Sequence, residues 1–480
     1  MYTHKRILFF ALLLSMALTR LQAQDGNIWS LQKCLEHARS NNIALKQAQL
    51  TTLTGETNLA ESQARRLPNA SASTSAFSRF GYFVDPFTNT LRQQNSLTYD
   101  LNVSGGVDLY TGGRITNGIE QSQLNLAASR AAEQQQDYTL SLNVALAYMN
   151  ILQAGELLES SRLQLASTTE QKDRTEKLVK AGSLAQADLY QLQSQMATEE
   201  LNIVSAENQL ELANLALQQL LNLDLGTPFG IEKMELPDPE GTFLKLALDE
   251  IYTFAEQNQP SVQRADLNVR SSEIDIAIAK GALYPTLSLF ANLGTGYSNG
   301  RQQVIGFEPG EPLVTNVEIN DVPATITTPQ FQPIYEPYSF PNQLSDNISA
   351  SVSLSLRIPI YSRRQTLSSI ERAKIATENA QYAADLARQD LKQTIQQAYV
   401  DARSAWFTYQ ASKKQLEATD LTAQNVEKQF AVGLSNSLDY LVAKNNLNRS
   451  RFDLVRAKYT YLFRMKVLDF YMGKSLGFGE

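Results

Sequence analysis

Catalysis needs a nucleophile with a base, or a cluster of metal ligands, and this chain offers little of either. Beyond residue 23 it holds one histidine, His37, and one cysteine, Cys34, both in the first helical segment. A His–Cys metal spacing, a phosphate-binding glycine loop and a nucleophile elbow are absent. Aspartates and glutamates are scattered along helical patterns, where solvated charge is the default. Two of them recur in one pattern: Asp188 and Asp439 each stand six positions after a glycine, Gly182 and Gly433. Glycine past a helix end takes the left-handed conformation cheaply, and an aspartate in the next first turn suits the helix dipole. Those needs alone explain both motifs. No enzymatic activity, cofactor or metal is expected.

Composition and charge narrow the class. The 480 residues are 43% hydrophobic and 19% charged, with a net charge of −7. A disordered chain would be less apolar and more highly charged. There is no basic block to track phosphates, so no nucleic-acid partner is expected. His4, Lys5 and Arg6 precede an apolar run over 7–18, and Ala23 offers a small residue for cleavage. Residues 1–23 therefore read as a secretory signal peptide. The run is shorter than the ~20 residues of a spanning helix. No later stretch is apolar for that long, so a secreted chain of this kind crosses a membrane only with strands.

An internal repeat organises the rest. At an offset of 217, Ala38 meets Ala255, Asn41 meets Asn258 and Pro68 meets Pro285. Further on the offset is 251: Tyr110 meets Tyr361, Tyr148 meets Tyr399, Gly182 meets Gly433 and Asp188 meets Asp439. The copies are placed at 24–240 and 241–480. The change of offset marks a longer loop in the second copy, over 299–343, with seven prolines. Such a segment is expected as a surface loop.

Each copy reads helix, strand, loop, strand, long helix, tight turn, helix. The first helix is expected unbroken over 31–66, and its counterpart over 243–283 with an interruption at Pro260. In the second copy Leu287, Leu289, Ala291 and Leu293 share one strand face, and so do Val352, Leu354, Leu356, Ile358 and Ile360. In the first copy Leu101, Val103, Val107 and Leu109 share a face with Gly105. Alternation with period two marks half-buried strands long enough for the ~9–11 residues of a tilted membrane strand. Long helices are expected over 116–180 and 363–432, each spanning about 100 Å. Leu140, Val144, Ala147, Ile151, Ala154 and Leu158 follow a heptad seam, repeated by Leu391, Ile395, Ala398, Ala402, Ala405 and Tyr409. An aromatic cluster, Phe77, Phe80, Tyr82, Phe83 and Phe87, suits an interfacial girdle or a cover over the outer mouth.

Four strands cannot close a barrel. Three copies give twelve, enough for an open duct, whereas eight leave an interior filled by side chains. The fold expected is a mixed α/β membrane protein: a trimeric 12-stranded β-barrel, four strands per chain, continued by a long α-helical barrel. A periplasmic coiled-coil spacer without a pore is the alternative, and the alternating hairpins argue against it.

The segments KLVKAGSLAQADLYQLQSQ (177–195), KQFAVGLSNSLDYLVAKNN (428–446) and WSLQKCLEHARSNNIALKQA (29–48) resemble the TolC outer-membrane factor family. That resemblance implies an outer-membrane homotrimer in contact with lipid, with its helical part in the periplasm. It also implies docking to a periplasmic adaptor and an inner-membrane pump, and a role as the exit duct of efflux or type I secretion. Gly182, Asp188 and Gly433 then mark adaptor-contacting tips. Asp439, Val442, Phe430 and Ser435 then sit at the pore entrance. Val442 stands where the family has a second aspartate, and Phe430 and Ser435 where it has a latching tyrosine and arginine. The resemblance therefore implies a weaker charge ring and a latch that rests on packing.

Overall fold

The computed structural model describes residues 28–84, 91–93, 95–224, 226–234, 238, 239, 241, 247–319 and 322–474. The leader over 1–23, the helix start over 243–246, Phe87 and the Phe83 side chain lie outside the described residues. The first half runs β1 (Ile28–Trp29), α1 (Leu31–Asn41), α2 (Ile43–Ala64), β2 (Asn69–Arg79), β3 (Tyr82–Val84), β4 (Leu91–Gln93), β5 (Ser96–Tyr110), α3 (Arg114–Lys180) and α4 (Gln186–Leu221). Next come β6 (Gly230–Ile231), α5 (Leu248–Asn258), α6 (Pro260–Gly281), β7 (Thr286–Ser298), β8 (Gln302–Pro309), β9 (Leu313–Ile319) and β10 (Val322–Thr328). The chain closes with β11 (Phe331–Pro337), α7 (Phe340–Asp346), β12 (Ser349–Arg357), α8 (Gln365–Ala431) and α9 (Ser437–Tyr471).

Element starts recur at the two offsets. The pairs α1/α5, α2/α6 and β2/β7 begin 217 residues apart, and α3/α8 and α4/α9 begin 251 apart. Even so, the compact units are not the two halves of the sequence. One unit spans 28–57, 123–272 and 376–474, and the other 58–122 and 273–375, so each draws on both halves.

The first unit is helical. Its two cores match position by position: Ile251, Ala255, Val262, Leu391, Ile395, Ala398, Ala402 and Leu468 stand where the other core has Cys34, Ala38, Leu45, Leu140, Val144, Ala147, Ile151 and Leu217. Every residue of both heptad seams is buried. The first core also buries Tyr148, whose hydroxyl donates to the Glu232 carbonyl at 3.0 Å and so avoids the cost of an unpaired polar group. β1 and β6 form a short parallel pair beside it. Trp406 packs on Tyr461 at 5.2 Å between ring centres.

The first helical segment departs from expectation. It breaks at Asn42, where the backbone turns extended. The Asn42 side-chain oxygen accepts the Leu45 N–H at 3.2 Å and restarts the helix, as N-cap residues do. The matching break falls at Gln259, ahead of Pro260. One copy uses proline and the other asparagine, and only the first is visible as a helix breaker.

The second unit holds a four-stranded antiparallel sheet in the order β12-β7-β5-β2. The register sorts the side chains. Leu354, Leu289, Val107 and, two rungs on, Val352, Ala291, Gly105 and Ala70 share one face. Ser351, Asn292, Ser104 and Ser71 line the other. Ser288 donates to Asp108 at 2.6 Å on that polar face. The apolar face is not covered: Val352 is 75% exposed and Leu354 63%. Leu109 does not follow the alternation, because a bulge between Asp108 and Tyr110 hands its place on the face to Tyr110. All four strands join long helices at one end of the sheet; at the other, β2 and β5 lead to the segment of β3 and β4, and β7 and β12 to the arm and α7.

The proline-rich loop is a correction. Residues 302–337 form two antiparallel ribbons, β8 with β11 and β9 with β10, most of them exposed. Proline fits a two-stranded ribbon because each strand has an edge that donates to nothing. At the root of this arm, the fully buried Gln343 accepts the Ser298 N–H and donates to the Ser298 carbonyl, both at 3.0 Å. Phe340 of α7 packs on Tyr297 and Tyr99 there, at 5.0 and 6.3 Å.

Candidate functional site

The tips of the helical hairpins gather the residues singled out in the sequence. Gly182 has φ of 72° and Gly433 of 77°. Nothing lies within 4 Å of where a Cβ would stand on either, so backbone conformation alone demands glycine there. Ser183 N–H donates to the Leu178 carbonyl, and Leu434 N–H to the Gln429 carbonyl, closing the same turn in both hairpins.

The next helix starts differently in each. Ala185 precedes α4 and has no side chain to cap it, so the half-buried Asp188 carboxylate accepts the Ala185 N–H at 3.2 Å. Asp188 also accepts the Ser437 hydroxyl from α9. In α9, Asn436 caps the helix by accepting the Asp439 N–H at 2.8 Å. The Asp439 carboxylate is thereby released from capping. It is exposed and makes no hydrogen bond or ion pair among the described residues. Repeat-equivalent aspartates thus stand in unlike roles, one engaged and one facing solvent.

Phe430 is buried and stacks on Tyr440, with ring centres 5.1 Å apart and planes at 18°. Burial, then the charges of Glu427 and Glu199, push the Tyr440 hydroxyl up to about 12, so it stays neutral. Ser435 lies half-buried in the turn, and Val442 is exposed on α9. Burial likewise pushes the Cys34 thiol up to about 12, where it is a poor nucleophile.

Above the tips runs a polar seam that the sequence patterns do not reveal. Gln195 donates to Asn445 at 2.9 Å, and Lys444 to Ser167 at 3.0 Å. Glu199, buried in α4, accepts from Gln164, Thr168 and Gln195 within 3.1 Å. The signal was present: beyond Leu158 the positions of α3 that are buried include the polar residues Ser161, Gln164 and Thr168.

The two aspartates separate experimentally. Asp188→Ala removes a first-turn partner worth about 1 kcal/mol, so amide exchange at the first tip should quicken roughly fivefold. Asp439→Ala should leave exchange at the second tip unchanged, because Asn436 remains. Hydrogen exchange read by mass spectrometry checks both.

Comparison with known proteins gives these features a setting. The family model "Outer membrane efflux protein" matches residues 34–223 and 251–474. Outer membrane protein TolC of Escherichia coli (strain K12) is 24% identical over 332 residues, covering 68% of this chain and 59% of that one. A membrane protein from Pseudomonas aeruginosa superposes with a TM-score of 0.72 at 16% identity, covering 93% of this chain and 90% of that one. The Neisseria gonorrhoeae MtrE outer membrane channel, in its open state, gives 0.69 at 17% identity, covering 93% and 89%. Similarity at these identities shows a shared fold. The match over two long segments, most of the described chain, shows that this protein belongs to the outer membrane efflux protein family.

Proposed function

We propose that three copies of this chain close a 12-stranded barrel in the outer membrane and form the passive exit duct of an efflux or secretion system. One observation carries the reading: the four-stranded sheet has one apolar and one mainly polar face, and its outer strands, β12 and β2, have unpaired edges among the described residues. A sheet edge within lipid is costly, and only closure removes it. Tyr99 and Tyr110 bracket the apolar stretch of β5; eleven residues at about 3.3 Å, tilted about 40°, rise about 28 Å. That suits an apolar band flanked by aromatic girdles. The small polar residues of the other face suit a water-filled lumen.

The helical hairpins continue the duct into the periplasm. Their tips at Gly182, Asp188 and Gly433 meet a periplasmic adaptor, and an inner-membrane pump supplies the drive. Asp439 and Val442 line the entrance, and the stack of Phe430 on Tyr440, beside Ser435, holds it. No cofactor is needed. The mass of the complex extracted from outer membranes should equal three chains, and the unheated sample should migrate as a trimer on a denaturing gel. A monomer recovered from the soluble periplasm would favour the spacer without a pore.

A further inference from the structure

Two consecutive arginines, Arg363 and Arg364, occupy left-handed backbone between β12 and α8, with φ of 49° and 63°. That region is costly for a residue with a side chain. Their counterparts 251 positions earlier are Gly112 and Gly113, with φ of 64° and 80°. Both copies keep the turn, yet only one makes it with the residue suited to it. A Cβ on Gly112 would lie 2.4 Å from the Gly281 carbonyl oxygen. The first turn therefore closes on bare backbone at the end of α6.

The counterpart of Gly281, 217 positions earlier, is Ala64, the last residue of α2. In the proposed ring the turn at Arg363 meets Ala64 of the next copy, as Gly112 meets Gly281 within one chain. The residues just past the two helix ends differ in charge: Ala282 and Leu283 come after Gly281, whereas Arg65 and Arg66 come after Ala64. The junction within a chain holds one guanidinium, that of Arg114, which packs against Gly281 and donates to the Thr111 carbonyl, whereas the junction between chains gathers four. Because Arg363 carries a Cβ, that junction must also stand wider.

Among the described residues, three of the four arginines carry a charge that no acidic side chain pairs with. Arg66, Arg363 and Arg364 are exposed and make no ion pair among the described residues, while Arg65 pairs with Glu61 at 3.1 Å, both side chains well exposed. Residues 347–370 include no acidic side chain. Around the cluster, Ile360 is 95% exposed, Tyr361 83% and Leu67 67%, continuing the apolar face of the sheet at its helical end. Arginines two positions beyond a girdle tyrosine lie at headgroup depth.

We propose that each junction between chains binds the phosphate headgroup of an anionic phospholipid in the periplasmic leaflet. Guanidinium pairs bind phosphate oxygens in bidentate fashion, and a wider seam bordered by Ile360, Tyr361 and Leu67 admits the headgroup with its first acyl carbons. This rests on the ring proposed above. The test is native mass spectrometry of the purified complex titrated with phosphatidylglycerol or phosphatidylcholine. The parent trimer should prefer phosphatidylglycerol by about tenfold or more. Arg363→Gly with Arg364→Gly, and separately Arg65→Gln with Arg66→Gln, should bring the preference near unity while the trimer mass persists. A trimer with no preference, or a preference that either intact double variant retains, overturns the lipid site and leaves the ring standing. Absence of a trimer in the parent overturns the ring itself.

Discussion

Cysteines at Ala76 and Leu354 are expected to lock three chains into one covalent ring. The repeat supplies the register. Within a chain, β5 pairs with β7 so that Val103 faces Leu293 and Ser104 faces Asn292. Moving the first partner on by 251 and the second back by 217 places Leu354 of β12 opposite Ala76 of β2 in the next copy, and Ser355 opposite Ser75. The shifted register keeps faces together, since Leu354 and Ala76 both lie on the apolar side. Antiparallel rungs alternate between Cα separations of about 5.5 and 4.5 Å, both within reach of a disulfide. Cysteines at Leu354 with Ala76, or at Ser355 with Ser75, should therefore give a species of three chains on a non-reducing gel. Leu354 with Ala72, four residues out of register, should not. Cross-linking through Ala72 instead would break the equivalence of the two junctions.

Leu293→Arg should abolish the assembled trimer, and Asn292→Arg, one residue away, should be tolerated. Leu293 lies about midway between the girdles and pairs with Val103 and Ala350 on the apolar face. Asn292 pairs with Ser104 and Ser351 on the polar face. An arginine on the lipid side at midplane costs about 2–4 kcal/mol, and the substitution falls once in every chain of the ring. Against a domain stability of about 5–15 kcal/mol, that total is decisive. On the lumen side the same charge stays hydrated. The yield of heat-modifiable trimer in outer-membrane fractions reads both. Equal loss from the two variants would mean that neither face meets lipid.

Much of this fold is legible in the residues, for a physical reason. Period-two alternation at Leu287–Leu293 and the heptad at Leu140–Leu158 are local consequences of burial, and each appears twice. The features hidden from the sequence depend on contacts distant along the chain or on conformations that several residue types can adopt. The break at Asn42 uses an asparagine cap where its twin uses Pro260. The arm over 302–337 hides its pairing beneath prolines that a two-stranded ribbon tolerates. The bulge that skips Leu109 is set by pairing with β7, which no local pattern reveals. At the tips, Gly182, Gly433 and the two aspartates stood out by spacing. The bond from Ser437 to Asp188 did not, because it joins residues 249 positions apart. That bond separates two aspartates that the repeat makes look alike.

The most direct test is the single-channel conductance of the purified trimer in planar bilayers. The measurement should include a variant with Phe430→Ala and Tyr440→Ala to loosen the entrance. A water-filled lumen predicts discrete current steps, larger or longer-lived in the loosened variant. A folded trimer that inserts yet passes no stepwise current, with its entrance loosened as well, would contradict the duct.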